Sequence, residues 1–221
     1  MKIDVQAESL ESTTASAEGR THVGNSIVTI NDSLSFPVRV MENQYGDRYI
    51  QLHKYGEKGY SYIVPRSKEI FAEWSRAVLS AYQSEEDANT FGRKHENDMS
   101  ITVRSISLTE KGKIKAYAAV DVGELLTINS IKIIEAANGR KYVALPSLAP
   151  VENEKGQKVY PPAVSVSNKN LESQINEQVL RKYQDKISER QERKIMGETS
   201  IKRFCEERGE QNFNFAVEAS K

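Results

Sequence analysis

Apolar and polar residues alternate in the opening segment "MKIDVQAESL", residues 1–10, and again in "MSITVRSISL", residues 99–108. A period of two places Ile3 and Val5, and likewise Ile101 and Val103, on one face of a strand and predicts a sheet with one side turned to a core. Further alternating segments follow in each half, separated by glycine-bearing turns. Two of those turns introduce similar decapeptides, "YGDRYIQLHK" at 45–54 and "NGRKYVALPS" at 138–147. The period then changes. Ile70, Trp74, Val78 and Leu79 recur at i, i+4, i+8 and i+9, as do Leu171, Ile175, Val179 and Leu180, which predicts one amphipathic helix per half able to cover a sheet face.

The order of these signals repeats, and an internal duplication explains it. Residues 1–10 align with 99–108 at an offset of 98. From Gly19 and Gly112 onward the offset is 93 without a gap, pairing Ile27 with Val120 and Tyr49 with Tyr142. The helical stripes align at 101, with Tyr82 against Tyr183. The expected class is α+β: two tandem units of β-meander plus helix, packed as an intramolecular pseudo-dimer, with a helical C-terminal extension. The units are residues 1–84 and 99–184. Residues 85–98, charged and without apolar periodicity, read as a linker. From residue 185 onward, "DKISERQERKIMGETSIKRFCEERGEQ" continues the second helix, with a break expected at Gly197 and a frayed end at "FNFAVEASK".

Composition narrows the function classes. Lys plus Arg and Asp plus Glu number 31 each, so no global field drives the chain toward an anionic polymer or membrane, and any basic surface is local. One cysteine, Cys205, excludes an intramolecular disulfide framework and fits a cytoplasmic protein. No apolar run is long enough for a bilayer span, and no signal core opens the chain. His22, His53 and His95 lie in different contexts, and no metal-ligand, nucleophile or phosphate-loop motif is present. The reading is of a protein without catalytic residues, metal or cofactor.

Five elements of the second unit occur in a recognisable order: "SITVRSI", "GKIKAYAAVDV", "INSIKIIEAANGRKYVALPS", the loop "NEKGQKVYPPA" and the helix "LESQINEQVLRKYQ". Together they resemble the SpoVG family (septation or stage V sporulation protein G). The first unit is similar only through its relation to the second and is degenerate, "IQLHK" standing where the family has a Pro-Ser ending. The resemblance implies a cytoplasmic bacterial regulator that binds DNA, with RNA a second candidate ligand, as a homodimer or, with two fused copies, as a monomeric pseudo-dimer. Family members usually carry basic residues directly after the Pro-Ser; here Pro146 and Ser147 are followed by "LAPVENEKG".

Candidate nucleic-acid contacts are Lys113 and Lys115 on one strand, Lys132 on the next, Arg140 and Lys141 at the turn, and Lys155 and Lys158 in the following loop. Alternation puts Lys113 and Lys115 on one face, opposite Ile114 and Ala116. Tyr45, Arg48, Tyr49, His53 and Lys54 form a second candidate contact surface in the first unit, near Tyr55, Tyr60 and Tyr62. Solvated sheet residues and tyrosines packed across strands explain the same residues equally well. The basic residues of the long helix alternate with acids at spacings of three and four, which favours intrahelical pairing. The competing reading is a protein-interaction or inhibitory module that keeps the fold and docks a partner through its C-terminal helix and altered loop.

Overall fold

The computed structural model describes the backbone of residues 1–15, 19–84, 88–91, 99–109 and 112–207, and side chains over 1–10, 19–83, 99–109 and 112–197. The side chains of His95 and Cys205 and the segment "FNFAVEASK" lie outside the described residues. The chain divides into two compact units, Met1–Leu180 and Arg181–Lys221.

The first half runs β1 (Lys2–Ala15), β2 (Thr21–Ile30), β3 (Leu34–Glu42), β4 (Arg48–Leu52), a small hairpin of β5 (Lys54–Tyr55) and β6 (Tyr60–Ser61), β7 (Ile63–Pro65), α1 (Lys68–Ser84) and β8 (Ala88–Phe91). The second half runs β9 (Ile101–Leu108), β10 (Ile114–Val122), β11 (Leu126–Glu135), β12 (Lys141–Ala144), a small hairpin of β13 (Val151–Glu152) and β14 (Lys158–Val159), β15 (Ser165–Val166) and α2 (Lys169–Glu207). The fold is α+β, with antiparallel meanders and one helix in each half. β8 falls within the stretch expected to be a linker. It pairs antiparallel with β1, Ile3 opposite Thr90 and Val5 opposite Ala88, so four residues of that stretch cap a sheet edge that would otherwise expose unpaired backbone groups.

The meanders share a register. Ile3 lies opposite Ile30 and Val5 opposite Val28 in the first; Ile101 lies opposite Val122 and Val103 opposite Val120 in the second. Val120 therefore takes the place of Val28, an offset of 92, and the expected match of Val120 with Ile27 is corrected. Ile27 is 45% exposed whereas Val28 and Val120 are both 0% exposed, as a one-residue slip on a pleated strand requires. The missing residue is found on β11, where the pairing shifts between Val120–Ile128 and Ala118–Ile131 and Ser130 adopts a φ of 62°. This β-bulge restores the offset to 93, so that Ile131 and Ile133 stand where Val38 and Val40 do.

Two short strands cross between the halves. β7, from the first half, pairs with β11, Val64 opposite Thr127 and Pro65 opposite Leu126. β15, from the second, pairs with β3, Ser165 opposite Ser35 and Val166 opposite Leu34. Polar contacts reinforce the first crossing: Arg66 donates its backbone N–H to the Leu125 carbonyl at 3.0 Å and its guanidinium to Asp121, and Thr127 Oγ1 donates to the same carboxylate at 2.6 Å.

The core of the first sheet lies beneath α1. Ile3, Val28, Ile30, Leu34, Phe36 and Val38 are buried with Ile70, Trp74 and Val78 of the helix, and the Phe36 and Trp74 rings meet at 5.0 Å. Gly24 is required for close approach. A Cβ there would lie 2.3 Å from the Tyr82 ring and 2.9 Å from the Glu8 carbonyl, and Tyr82 is fixed by its hydroxyl, which donates to the Val23 carbonyl at 2.7 Å. In the second half Val120, Val122, Leu126, Ile128, Ile131 and Ile133 are buried, as is the α2 stripe of Leu171, Ile175 and Val179. The helix is continuous through Gly197, contrary to the expected break: glycine lowers helix propensity by about 1 kcal/mol but keeps the backbone N–H that sustains the ladder.

Candidate nucleic-acid interface

The two similar decapeptides adopt the same turn. Asn43 N–H donates to the Asp47 carbonyl and Gly46 N–H to Asn43; Ala136 N–H donates to the Arg140 carbonyl and Gly139 N–H to Ala136. Both glycines need positive φ, 85° at Gly46 and 78° at Gly139. Asx contacts tighten each turn: the Tyr45 N–H donates to Asn43 Oδ1 and the Arg140 N–H to Asn138 Oδ1.

Tyr45, at the first turn, is 80% exposed, while His53 and Lys54 lie past the opposite end of β4. The five-residue strand separates them, so the first-half candidates do not form one patch. Arg48 is committed locally, its Nε donating to Glu42 at 3.1 Å and its guanidinium resting 5.1 Å from the Tyr82 ring centroid. Tyr49 lies half-buried in β4 opposite Met41.

His53 is half-buried, and burial, assisted by the Arg39 charge and then His22, pushes its pKa from the usual 6.5 to about 4. Because the folded state holds the neutral imidazole while the unfolded chain takes up a proton below 6.5, this group favours folding above 6.5. Its contribution is lost as pH falls toward about 4. Urea midpoints measured from pH 7 to 5 are expected to fall less steeply for His53→Gln than for the parent; parallel profiles would exclude His53 as a source of acid sensitivity.

The second-half cations separate into three groups. Lys115 and Lys141 both reach Glu135, at 2.8 and 3.3 Å, and their hydrogen bonds, Lys115 first, hold that carboxyl below its ordinary range. Lys113 and Arg140 are exposed. Strict alternation does not carry from Lys115 to Lys113, since Ile114 pairs with Ile134 and Ala116 with Ile133, leaving Lys115 as a bulged residue. Lys155 and Lys158 are exposed on the β13–β14 hairpin, where Lys158 faces Glu152 across the strands.

Lys132 stands apart, on the outer face of the second sheet. Ser107, Tyr117, Lys132 and Ala144 form a continuous cross-strand row. Beside it Ser105 faces Ala119, next to the bulge at Asn129 and Ser130. The β5–β6 hairpin and Tyr62 of the first half border this face. Asn129 holds them there, its N–H donating to the Tyr62 carbonyl at 2.8 Å and its side-chain amide to the Ser61 carbonyl at 3.0 Å. Tyr55 and Tyr62 pack at 4.8 Å with planes 33° apart, and burial raises both phenol pKa values. The result is a cleft of about 490 Å³ lined by Tyr55, Tyr62, Tyr117, Lys132 and small or hydroxylated residues, none of them acidic.

Sequence reasoning singled out Lys132 and the Tyr55–Tyr62 cluster separately but missed Tyr117, Ser105, Ser107 and Asn129. The run "AYAA" at 116–119, with one large ring among alanines on a strand, is the signal that could have drawn attention to Tyr117. Among the described residues, no cluster of His, Cys, Asp or Glu could hold a metal ion, and no helix is long and apolar enough to cross a membrane.

A four-stranded antiparallel meander followed by a small hairpin, an exchanged strand and a helix defines the architectural class of the second half. Residues 99–185 match the family model SpoVG. No curated protein and no solved structure matches the chain.

Proposed function

We propose that this protein is a SpoVG-like regulator that binds nucleic acid, DNA or RNA, through the outer face of its second sheet. The observation that carries the reading is a cleft whose lining has no carboxylate and combines aromatic and hydroxyl groups with Lys132, which makes no ion pair among the described residues; most of that lining belongs to the segment that matches SpoVG. Lys113, Arg140 and Lys155 are further exposed cations of the second half and, in this reading, supply additional phosphate contacts. Lys115 and Lys141 contribute less because Glu135 already neutralises part of their charge. Residues 1–84 and 99–184 are, in this reading, tandem copies joined by 85–98, with 185–221 as an extension; the equal registers of β1–β2 and β9–β10 and the reciprocal strand crossings support it.

Four phosphate contacts give an expected slope of log Kobs against log salt of about −3.6 for duplex and about −2.8 for single strands. Fluorescence anisotropy across a salt series measures it. Absence of binding to every strand at about 50 mM salt, where counterion release favours association most, overturns the reading.

A second reading, docking of a protein partner by the C-terminal extension, is favoured by one observation in the Arg181–Lys221 unit. Ile195 and Met196 are 61% and 69% exposed on a helix whose other surface is laced with charges such as the Lys186–Glu189 pair. Partner recovery that survives removal of residues 185–221 excludes it.

A further inference from the structure

We propose that the cleft on the outer face of the second sheet is a base-stacking site for single-stranded nucleic acid, in which Tyr117 and the Tyr55–Tyr62 wall stack unpaired bases and Lys132 meets a backbone phosphate. The proposal rests on the nucleic-acid reading above and adds the form of the ligand and the residues that select it.

Three features of the cleft point to this ligand. The first is shape. The cleft is an open groove of about 490 Å³, within the roughly 300–1,000 Å³ range of ligand sites and roomy enough for a nucleotide. The second is the kind of surface offered. Tyr117 is 40% exposed, with the small Ser107 opposite it on one side and Lys132 on the other, so part of its ring faces solvent in the cleft. Stacking on such a ring is tolerant of sequence, since every base has a π-face, but it requires that the face be free; in a duplex it is hidden against the next base pair.

The third feature is charge placement. Lys132 lies directly opposite Tyr117 in the β10–β11 register, so cation and ring are neighbours on one face, as base and phosphate are neighbours in a strand. Among the described residues Lys132 makes no ion pair, whereas the adjacent Lys115 and Lys141 are held by Glu135. The lining carries no carboxylate to repel a phosphate, and the hydroxyl and amide groups of Ser105, Ser107 and Asn129 can meet base edges or sugar hydroxyls. The wall is preorganised, because Asn129 ties the first-half backbone at Ser61 and Tyr62 to β11 through two hydrogen bonds. The ordering cost is therefore met on folding rather than on binding.

The test is anisotropy titration of the full chain with labelled oligothymidylate and oligouridylate of about 12 nucleotides, a length within the site sizes typical of stacking grooves, beside a duplex of the same length and the mononucleotides dTMP and UMP. The parent is expected to bind the single strands more tightly than the duplex. Tyr117→Ala is expected to weaken single-strand binding about tenfold or more, equivalent to loss of about one stacked base, while Tyr117→Phe keeps it. Lys132→Gln is expected to reduce the salt slope by about 0.7, one phosphate contact on a single strand. Circular dichroism of each variant confirms that the fold is retained, which an exposed position such as 117 permits.

Single-strand affinity that is unchanged in both Tyr117→Ala and Tyr55→Ala overturns the stacking site while leaving the nucleic-acid reading intact. Equal affinity for mononucleotide and oligomer also overturns it, in favour of a small-molecule pocket. Failure of all strands to bind overturns both readings. A preference between oligothymidylate and oligouridylate assigns the ligand to DNA or RNA within the proposal.

Discussion

Replacement of Trp74 by alanine is expected to be the most damaging single substitution in the first sheet, costing about 3–5 kcal/mol. The indole is fully buried, lies at the centre of the α1 stripe between Ile70 and Val78, and meets Phe36 of β3 with ring centroids 5.0 Å apart. Truncation removes its transfer free energy and leaves a void that a rigid pleated sheet cannot close. Trp74→Phe should cost far less. The indole N–H has no hydrogen-bond acceptor among the described residues, so losing it breaks no hydrogen bond and relieves a buried polar group. For a chain of this size the alanine variant should lower Tm by about 10 °C or more. Thermal melts followed by far-ultraviolet circular dichroism measure this, since the only tryptophan is the one removed. Equal losses in the two variants would show that the N–H, and not the packed ring, matters.

What was legible in the sequence is what local periodicity controls. Alternation at Ile3 and Val5 identified the core face of β1, and the i, i+4, i+8 spacing of Leu171, Ile175 and Val179 identified that of α2; in each case the side chain's direction follows from backbone geometry alone. The Gly46 and Gly139 turns were legible because few residues other than glycine tolerate the φ values they need. The bulge at Ser130 was not. It is a property of pairing between two strands, and a gapless alignment spread its single extra residue over the whole β2–β10 comparison, turning Ile27 to the wrong face.

The arrangement of the candidate site was not legible, because pairing between strands sets it. Lys115 and Lys141 looked like free cations until β11 brought Glu135 between them, and the charge sequence of any one strand does not reveal its neighbour. Tyr55 and Tyr62 lie more than fifty residues before Tyr117. Only the crossing of β7 onto β11, fixed by three residue pairs, puts them on one cleft. Strand exchange between halves carries no periodicity signal, because two- and three-residue strands such as β15 and β7 are too short to show one.

That exchange makes the halves interdependent, and the second large effect follows from it. Residues 99–221 produced without 1–98 are expected to have no stable folded monomer. Deprived of Ile63–Pro65, β11 exposes its backbone over Leu126–Ile128, while β15 loses Leu34 and Ser35 as partners. Ile63, Val64 and Pro65 bring an apolar strand to that edge, and Ile63 is buried there; without them a hydrophobic edge faces water, which drives pairing with another chain. The least disruptive solution is for two fragments to exchange β15, each laying its Ser165–Val166 strand on the other's β11 at Leu126–Thr127, the positions that β7 fills in the whole chain. A closed two-fold dimer uses both edges and leaves none open. Light scattering should therefore give the fragment a mass about twice that of one copy, and adding residues 1–84 in trans should convert dimer to heterodimer as β7 competes for β11. A fragment that remains monomeric and melts cooperatively would show that the crossing strands decorate each half rather than complete it.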